Sequence, residues 1–274
     1  MERRSFIRNI GGTALLLMAD GLIRPTRASL LNRDESLLRF AVTSDGHYGQ
    51  ANTHFSEYFS RISETINRFH SENKLNFCVV NGDIFHDKPE HLQPAADSLK
   101  KLELPYYVTK GNHDMVSDAV WESVWKMGVN HDVVMGNHVL LMGTTSNEKG
   151  TYQAPDQAWF ESKLRQYKSA QNIFIFLHIT PVKWTAHGVD GKEFQKLLKH
   201  SPNVRAVFNG HDHDQDGVKM LGGIPFLFDG HFGGSWGTAY RGFRVVELQK
   251  DNSLLTYMMD PVLKMAPLNI YNSI

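Results

Sequence analysis

From residue 37 onward, short apolar runs alternate with segments whose apolar residues recur at helical spacing. Residues 37–43 predict a strand, and 76–81, β-branched and apolar, predict a buried one. Between them, Phe55, Tyr58, Phe59, Ile62, Ile66 and Phe69 share one face of a helix over 54–70. The alternation continues with a helix over 92–102, a strand at 106–109, a helix over 118–127 and a strand at 139–143. A helix over 155–167 follows, with Pro155 suited to its first turn. Then come a strand at 173–177, a helix over 191–199 capped by Asp190, and a strand at 204–208. The tail changes character: strands at 218–221, 225–228, 243–248 and 254–258 have no helices between them. The turn-like run Lys250-Asp251-Asn252-Ser253 joins the last pair. Strand-helix alternation implies parallel sheet with helices on its faces, and the closing strands add an antiparallel meander. With no internal repeat and no linker-like tract, 37–274 reads as one α/β domain.

Composition narrows the class. Of 274 residues, 41% are hydrophobic and 21% charged, ordinary values that exclude a disordered, collagen-like or polytopic membrane chain. Lys plus Arg and Asp plus Glu are 29 each, so the basic surplus of a nucleic-acid binder is missing and no duplex partner is expected. The single cysteine, Cys78, excludes an internal disulfide and a thiolate metal site. Histidine, at 14 residues, is the outlier, and imidazole is the commonest protein metal ligand.

The first residues have another pattern. A basic head, Met1-Glu-Arg-Arg-Ser-Phe-Ile-Arg-Asn9, precedes an apolar stretch over 10–23 that is too short for a stable membrane span. Arg3-Arg4 followed by Ser5-Phe6-Ile7-Arg8 resembles a twin-arginine export signal. That resemblance implies a signal over 1–29, cleavage near Ala28, transient contact with the twin-arginine machinery, and export to the periplasm. An amphipathic helix packed on the domain is the other reading of the segment.

Polar clusters stand directly after five predicted strands: Ser44-Asp45-Gly46-His47, Asn81-Gly82-Asp83, Lys110-Gly111-Asn112-His113-Asp114, His178, and Asn209-Gly210-His211-Asp212-His213. Carboxyl ends of parallel strands converge on one edge of an open α/β sheet, so these residues are expected in one crevice. The donors are carboxylate, imidazole and amide, a set suited to Mn, Fe or Zn. Asp45, His47, Asp83, Asn112, His178, His211 and His213 are too many for one tetrahedral ion. Two ions sharing a carboxylate account for them, and a metal pair about 4 Å apart is a known clamp for displacement at phosphorus.

Together, in this order, the five clusters resemble the calcineurin-like metallophosphoesterase superfamily, from about Phe40 to His213. The resemblance implies a four-layered α/β-β/α sandwich with a dinuclear site on one edge. By that resemblance Asp45, His47 and His213 hold one metal, Asn112, His178 and His211 the other, and Asp83 bridges them. It further implies hydroxide attack on phosphorus, with His113 assisting the leaving group. Gly82-Asp-Ile-Phe-His86 is similar to the form found in double-strand-break repair nucleases of the superfamily, which gives His86 a supporting role. Asp87 or Asp114 is then the carboxylate that orients His113.

The substrate has to be read from the pocket walls. His187, Trp236, Tyr240 and Arg241 are the candidates for contacting it, with Trp184 and Lys183 nearby in sequence. A small, nucleotide-like phosphodiester or a monoester is the expected substrate. Two other readings stay open here: a metallo-β-lactamase-type dinuclear hydrolase, suggested by His211-Asp-His213-Asp214, and a non-catalytic exported binding module on the same fold.

Overall fold

A computed structural model describes residues 36–261 and the backbone of residues 15–18 and 21–23. The strands are β1 (Leu15–Met18), β2 (Gly21–Ile23), β3 (Leu38–Thr43), β4 (Phe77–Asn81), β5 (Tyr106–Thr109), β6 (His131–Met135) and β7 (His138–Gly143). They continue with β8 (Asn172–Leu177), β9 (Val204–Asn209), β10 (Val218–Leu221), β11 (Ile224–Phe228), β12 (Phe243–Leu248) and β13 (Leu254–Met259). The helices are α1 (Phe55–Glu72), α2 (Leu92–Leu99), α3 (Asp118–Trp125), α4 (Gln157–Gln166) and α5 (Lys192–Lys199), with a 3-10 turn at Pro89–His91.

Side-chain alternation along the strands creates three cores, and hence four layers. Phe40 and Val42 of β3 and Phe77 and Val79 of β4 face Leu140, Met142, Phe174, Phe176 and Phe208 of the second sheet. Their neighbours Ala41, Cys78 and Val80 point the other way, onto Phe59, Ile62 and Ile66 of α1 and the buried faces of α2 and α3. On the far side, Leu141, Ile173, Ile175 and Val207 pack under Phe160 and Leu164 of α4 and Phe194 and Leu198 of α5. Phe40 anchors the middle core, stacked on Phe77 at 4.7 Å and edge-on to Phe174, Phe176 and Phe208.

One sheet has the order β2-β1-β13-β12-β3-β4-β5 and the other β10-β11-β9-β8-β7-β6. The strands β3, β4 and β5 run parallel, as do β7, β8, β9 and β11. The closing strands are antiparallel hairpins divided between the sheets, β10–β11 in one and β12–β13 in the other. A buried ion pair ties the layers: Arg244 on β12 donates to Asp229 Oδ1, to the Phe228 and Asp216 carbonyls and to Thr256 at 2.7–3.0 Å.

Helix starts depart from expectation in two places. Pro155 lies outside α4, whose N-cap is Asp156, with its carboxylate accepting from Trp159 N at 3.0 Å. Gly191 is the N-cap of α5, and Asp190 accepts from Lys192 N at 3.3 Å one residue earlier. The export-signal segment, 1–29, lies outside the described residues except for the backbone of β1 and β2, which pairs β1 with β13. No described helix is long and apolar enough to cross a membrane.

Candidate metal centre

The carboxyl ends of β3, β4, β5, β8 and β9 meet at one edge, where the two sheets approach closely. Gly82, at φ +83°, turns the chain out of β4, and a Cβ there would sit 2.5 Å from the ring of His178 across the gap. At the end of β9 a Cβ on Gly210 would strike the Ser44 hydroxyl at 1.9 Å. The two glycines let strand ends from separate sheets share one floor.

On that floor the ligand atoms form two buried groups. Asp45, His47 and His213 place theirs within 4.8 Å of one another, and so do Asp83, His178 and His211. Oδ2 of Asp83 joins the groups, 3.1 Å from Nε2 of His178 and 3.7 Å from Nε2 of His47. Asp45 Oδ1 lies 3.0 Å from His213 Nε2, which is itself 3.1 Å from His47 Nε2. Asp45, His47 and Asp83 all adopt positive φ, the sharp exit from a strand that aims a side chain along the sheet edge.

His178, His213, Asp45 and Asp83 are each anchored by one side-chain atom, leaving the other for a cation. The Nδ1–H of His178 donates to the Asn81 carbonyl at 2.7 Å, and that of His213 to the Trp236 carbonyl at 3.1 Å, so Nε2 is the nitrogen that each ring turns toward the cluster. Asp45 Oδ2 accepts from Ser44 Oγ at 2.5 Å and His211 N at 2.9 Å. Asp83 Oδ1 accepts from His113 N at 2.8 Å. Nε2 of His211 and Oδ1 of Asn112 are buried without a hydrogen-bond partner, and Nε2 of His178 faces two carboxylates, Asp83 Oδ2 at 3.1 Å and Asp45 Oδ1 at 3.7 Å. Since buried polar atoms are almost always paired, donors left free and converging in this way fit a divalent or trivalent cation.

The electrostatics agree with that fit. Burial pushes His47 down to about 3 and His211 to about 4, which keeps both as the neutral imidazole a metal needs. Burial also opposes charge on Asp45 and Asp83, but His213 and His178 outweigh it and hold both carboxyls below the ordinary range. For His178 burial again opposes charge, yet the Asp83 and Asp45 carboxylates drive it up to about 10. Such a concentration of buried negative charge is what a cation would neutralise.

Next to the first group stand His113 and His86, stacked at 4.7 Å and 14°. The Nδ1–H of His113 donates to Asp87 Oδ1 at 2.6 Å, and His86 Nδ1 lies 3.0 Å from Nδ1 of His47. Asp114 is turned elsewhere: its buried carboxylate accepts from Phe85 N at 3.0 Å and Gly111 N at 2.8 Å and pins the two loops together. Burial, reinforced by the Asp83 carboxylate, raises its carboxyl to about 7. Of the two carboxylates expected to orient His113, the structure therefore places Asp87 there and gives Asp114 a loop-holding position.

The sequence pattern of calcineurin-like phosphoesterases matches residues 38–215, which span all of these ligands. The chain belongs to that family. Among curated proteins it is 25% identical over 198 residues to the "Probable cyclic nucleotide phosphodiesterase" of a Synechococcus strain, covering 65% of this chain and 74% of that one. It is 21% identical over 225 residues to the uncharacterized protein YvnB of Bacillus subtilis, covering 72% of this chain but only 17% of the relative's length. Solved structures share the fold: a dimetal phosphatase from Danio rerio (TM-score 0.62, 12% identity, 79% of this chain and 94% of that one). The calcineurin-like phosphoesterase YfkN of B. subtilis is another (0.54, 13%, 84% and 92%). The two mixed sheets fit the family's sandwich, and the metallo-β-lactamase alternative falls with this assignment. As a calcineurin-like phosphoesterase the chain is a phosphoester hydrolase, and its His/Asp groups suit the divalent transition metals the family uses.

Around the phosphoesterase centre the expected substrate contacts divide. Trp236 stacks on His213 at 4.4 Å, and His187 meets His211 edge-on at 5.6 Å. Tyr240 instead donates to Asp216 Oδ2 at 2.9 Å. Arg241 donates to the Gly234 carbonyl at 3.0 Å and lies 4.3 Å over the Tyr58 ring. Trp184 packs on Phe226. Tyr152, which no motif signalled, meets His211 at 5.0 Å and 90°. It sits in the loop between β7 and α4, and only a scan for aromatic residues near strand ends would have raised it.

Proposed function

We propose that this chain hydrolyses a small phosphodiester or phosphomonoester, with a nucleotide-like diester favoured, at a centre holding two metal ions. Asp45, His47 and His213 would hold one ion and Asn112, His178 and His211 the other, with Asp83 between them. The observation that carries the reading is Asp83 Oδ2, an oxygen within 3.7 Å of an imidazole nitrogen from each buried group. When bound, such an ion pair offsets the charge on phosphate oxygens and acidifies a water at neutral pH.

The remaining work falls to the chain's own residues. The Nδ1 bond to Asp87 fixes the tautomer of His113 and leaves Nε2 to carry a proton toward the departing ester oxygen. Stacking by His86 restrains the His113 ring from the side, and its nitrogen steadies His47. A diester is supported by the Synechococcus relative's description and by a chain whose charges cancel, which disfavours a duplex. The binding-module reading requires a lost ligand, and all seven are in place.

Assays of p-nitrophenyl phosphate, its bis ester and cyclic AMP with added manganese test the reading. Hydrolysis of at least one, lost in Asp83→Asn, is expected. Failure to cleave any phosphoester with metals bound would favour a binding module instead. Export to the periplasm is proposed from Arg3-Arg4 and the apolar stretch after them. Fractionation that finds the full-length protein in the cytoplasm would remove that part.

A further inference from the structure

Both ends of the metal centre carry a half-exposed aromatic side chain that ligation does not require. At one end the Trp236 indole lies parallel on His213, 4.4 Å and 7° away, while 49% of the residue stays open to solvent. At the other end Tyr152 sits edge-on to His211 and is 42% exposed. Five large apolar side chains are exposed among the described residues, and two of them abut a metal-ligand imidazole. Exposed apolar surface concentrated at a polar centre marks a ligand contact rather than scattered surface.

Both rings are held in place by their loops. The Trp236 carbonyl takes His213 Nδ1–H, while Thr238 N and Gly233 N donate to the His213 and Asp45 carbonyls at 3.0 and 2.9 Å. Asn147 Oδ1 closes the other loop by accepting from Lys149 N and Thr151 N, and Ser146 bridges to Tyr152 itself. The cation of the Trp236 loop, Arg241, is spent on the Gly234 carbonyl and the Tyr58 ring. That loop therefore presents a ring beside the ligand His213 and keeps its positive charge elsewhere.

We propose that Trp236 and Tyr152 are specificity-determining walls, each taking a flat aromatic or heteroaromatic ester group of the substrate. A phosphate seated between the two ligand groups has a wall at either end, so the substrate class is a phosphodiester bearing at least one ring, such as a nucleoside or aryl ester. The proposal rests on the hydrolase reading of the same centre.

Calorimetric titration of the metal-loaded full-length protein with phenylphosphonate and methylphosphonate reads the walls without turnover. Aromatic stacking predicts phenylphosphonate binding about tenfold tighter in the wild type. That ratio should fall toward one in the double variant Trp236→Ala, Tyr152→Ala. Metal content is measured alongside, because Trp236 supports His213. If the double variant sheds metal, Tyr152→Ala alone decides, and it must lower the ratio by about threefold, a share of the stacking effect. A wild-type ratio near one, or an unchanged ratio in the deciding variant, overturns the proposal. Wild-type hydrolysis of bis(p-nitrophenyl) phosphate is run in parallel. Hydrolysis with a ratio near one contradicts only the walls, whereas phosphonate binding without any hydrolysis contradicts the hydrolase reading.

Discussion

The imidazole of His113 donates through Nδ1 to Oδ1 of Asp87 at 2.6 Å, so its Nε2 is the nitrogen free to serve a leaving group. A general acid placed in this way contributes about two to four orders of magnitude in rate. Accordingly, His113→Ala should keep both metals and lose turnover on that scale. Elemental analysis beside the kinetics checks it, and metal loss in the variant would make His113 structural.

Asp87→Asn tests how His113 is oriented. Partners that hold a catalytic or ligating imidazole are worth about 10–100-fold in activity. An unchanged rate would show that the Asp87 contact is incidental.

Arg244 is wholly buried and spans the layers from β12 to Asp229. Removing one member of a buried pair strands the other charge, at a cost of about 3–5 kcal/mol. Arg244→Ala should lose that much in urea unfolding, and Arg244→Met with Asp229→Leu should recover most of it. A loss under about 1 kcal/mol in the single variant would mean that the Asp229 charge is not stranded.

Burial in β4 pushes the Cys78 thiol up to about 12. Thiolate is the reactive form, so below that pH the native protein should resist iodoacetamide. Labelling should track unfolding in urea. Fast labelling of native protein at pH 8 would contradict this burial.

Much of the fold and most of the centre were legible in the chain because a few local signals were strong. The apolar spacing from Phe55 to Phe69 marks α1, and five polar clusters after strands mark the floor. The strand β6 escaped because His131–Met135 is a half-buried edge, without the run of apolar residues that marks β8. Its signal was the turn, Gly136-Asn137, with Gly136 at φ +60° between two paired strands. The choice of Asp87 over Asp114 depended on which way each carboxylate turns, Asp87 to the His113 ring and Asp114 to Phe85 N, and spacing does not encode that. Arg241 and Tyr240 looked like pocket residues because they follow Trp236 closely, yet the loop folds both back onto Tyr58 and Asp216.

Anomalous diffraction from crystals grown with manganese tests the central claim most directly. Two peaks are predicted, one among Asp45, His47 and His213 and the other among Asp83, His178 and His211, with Asp83 reaching both. A single peak, or manganese bound anywhere else on the molecule, would contradict a shared two-ion centre.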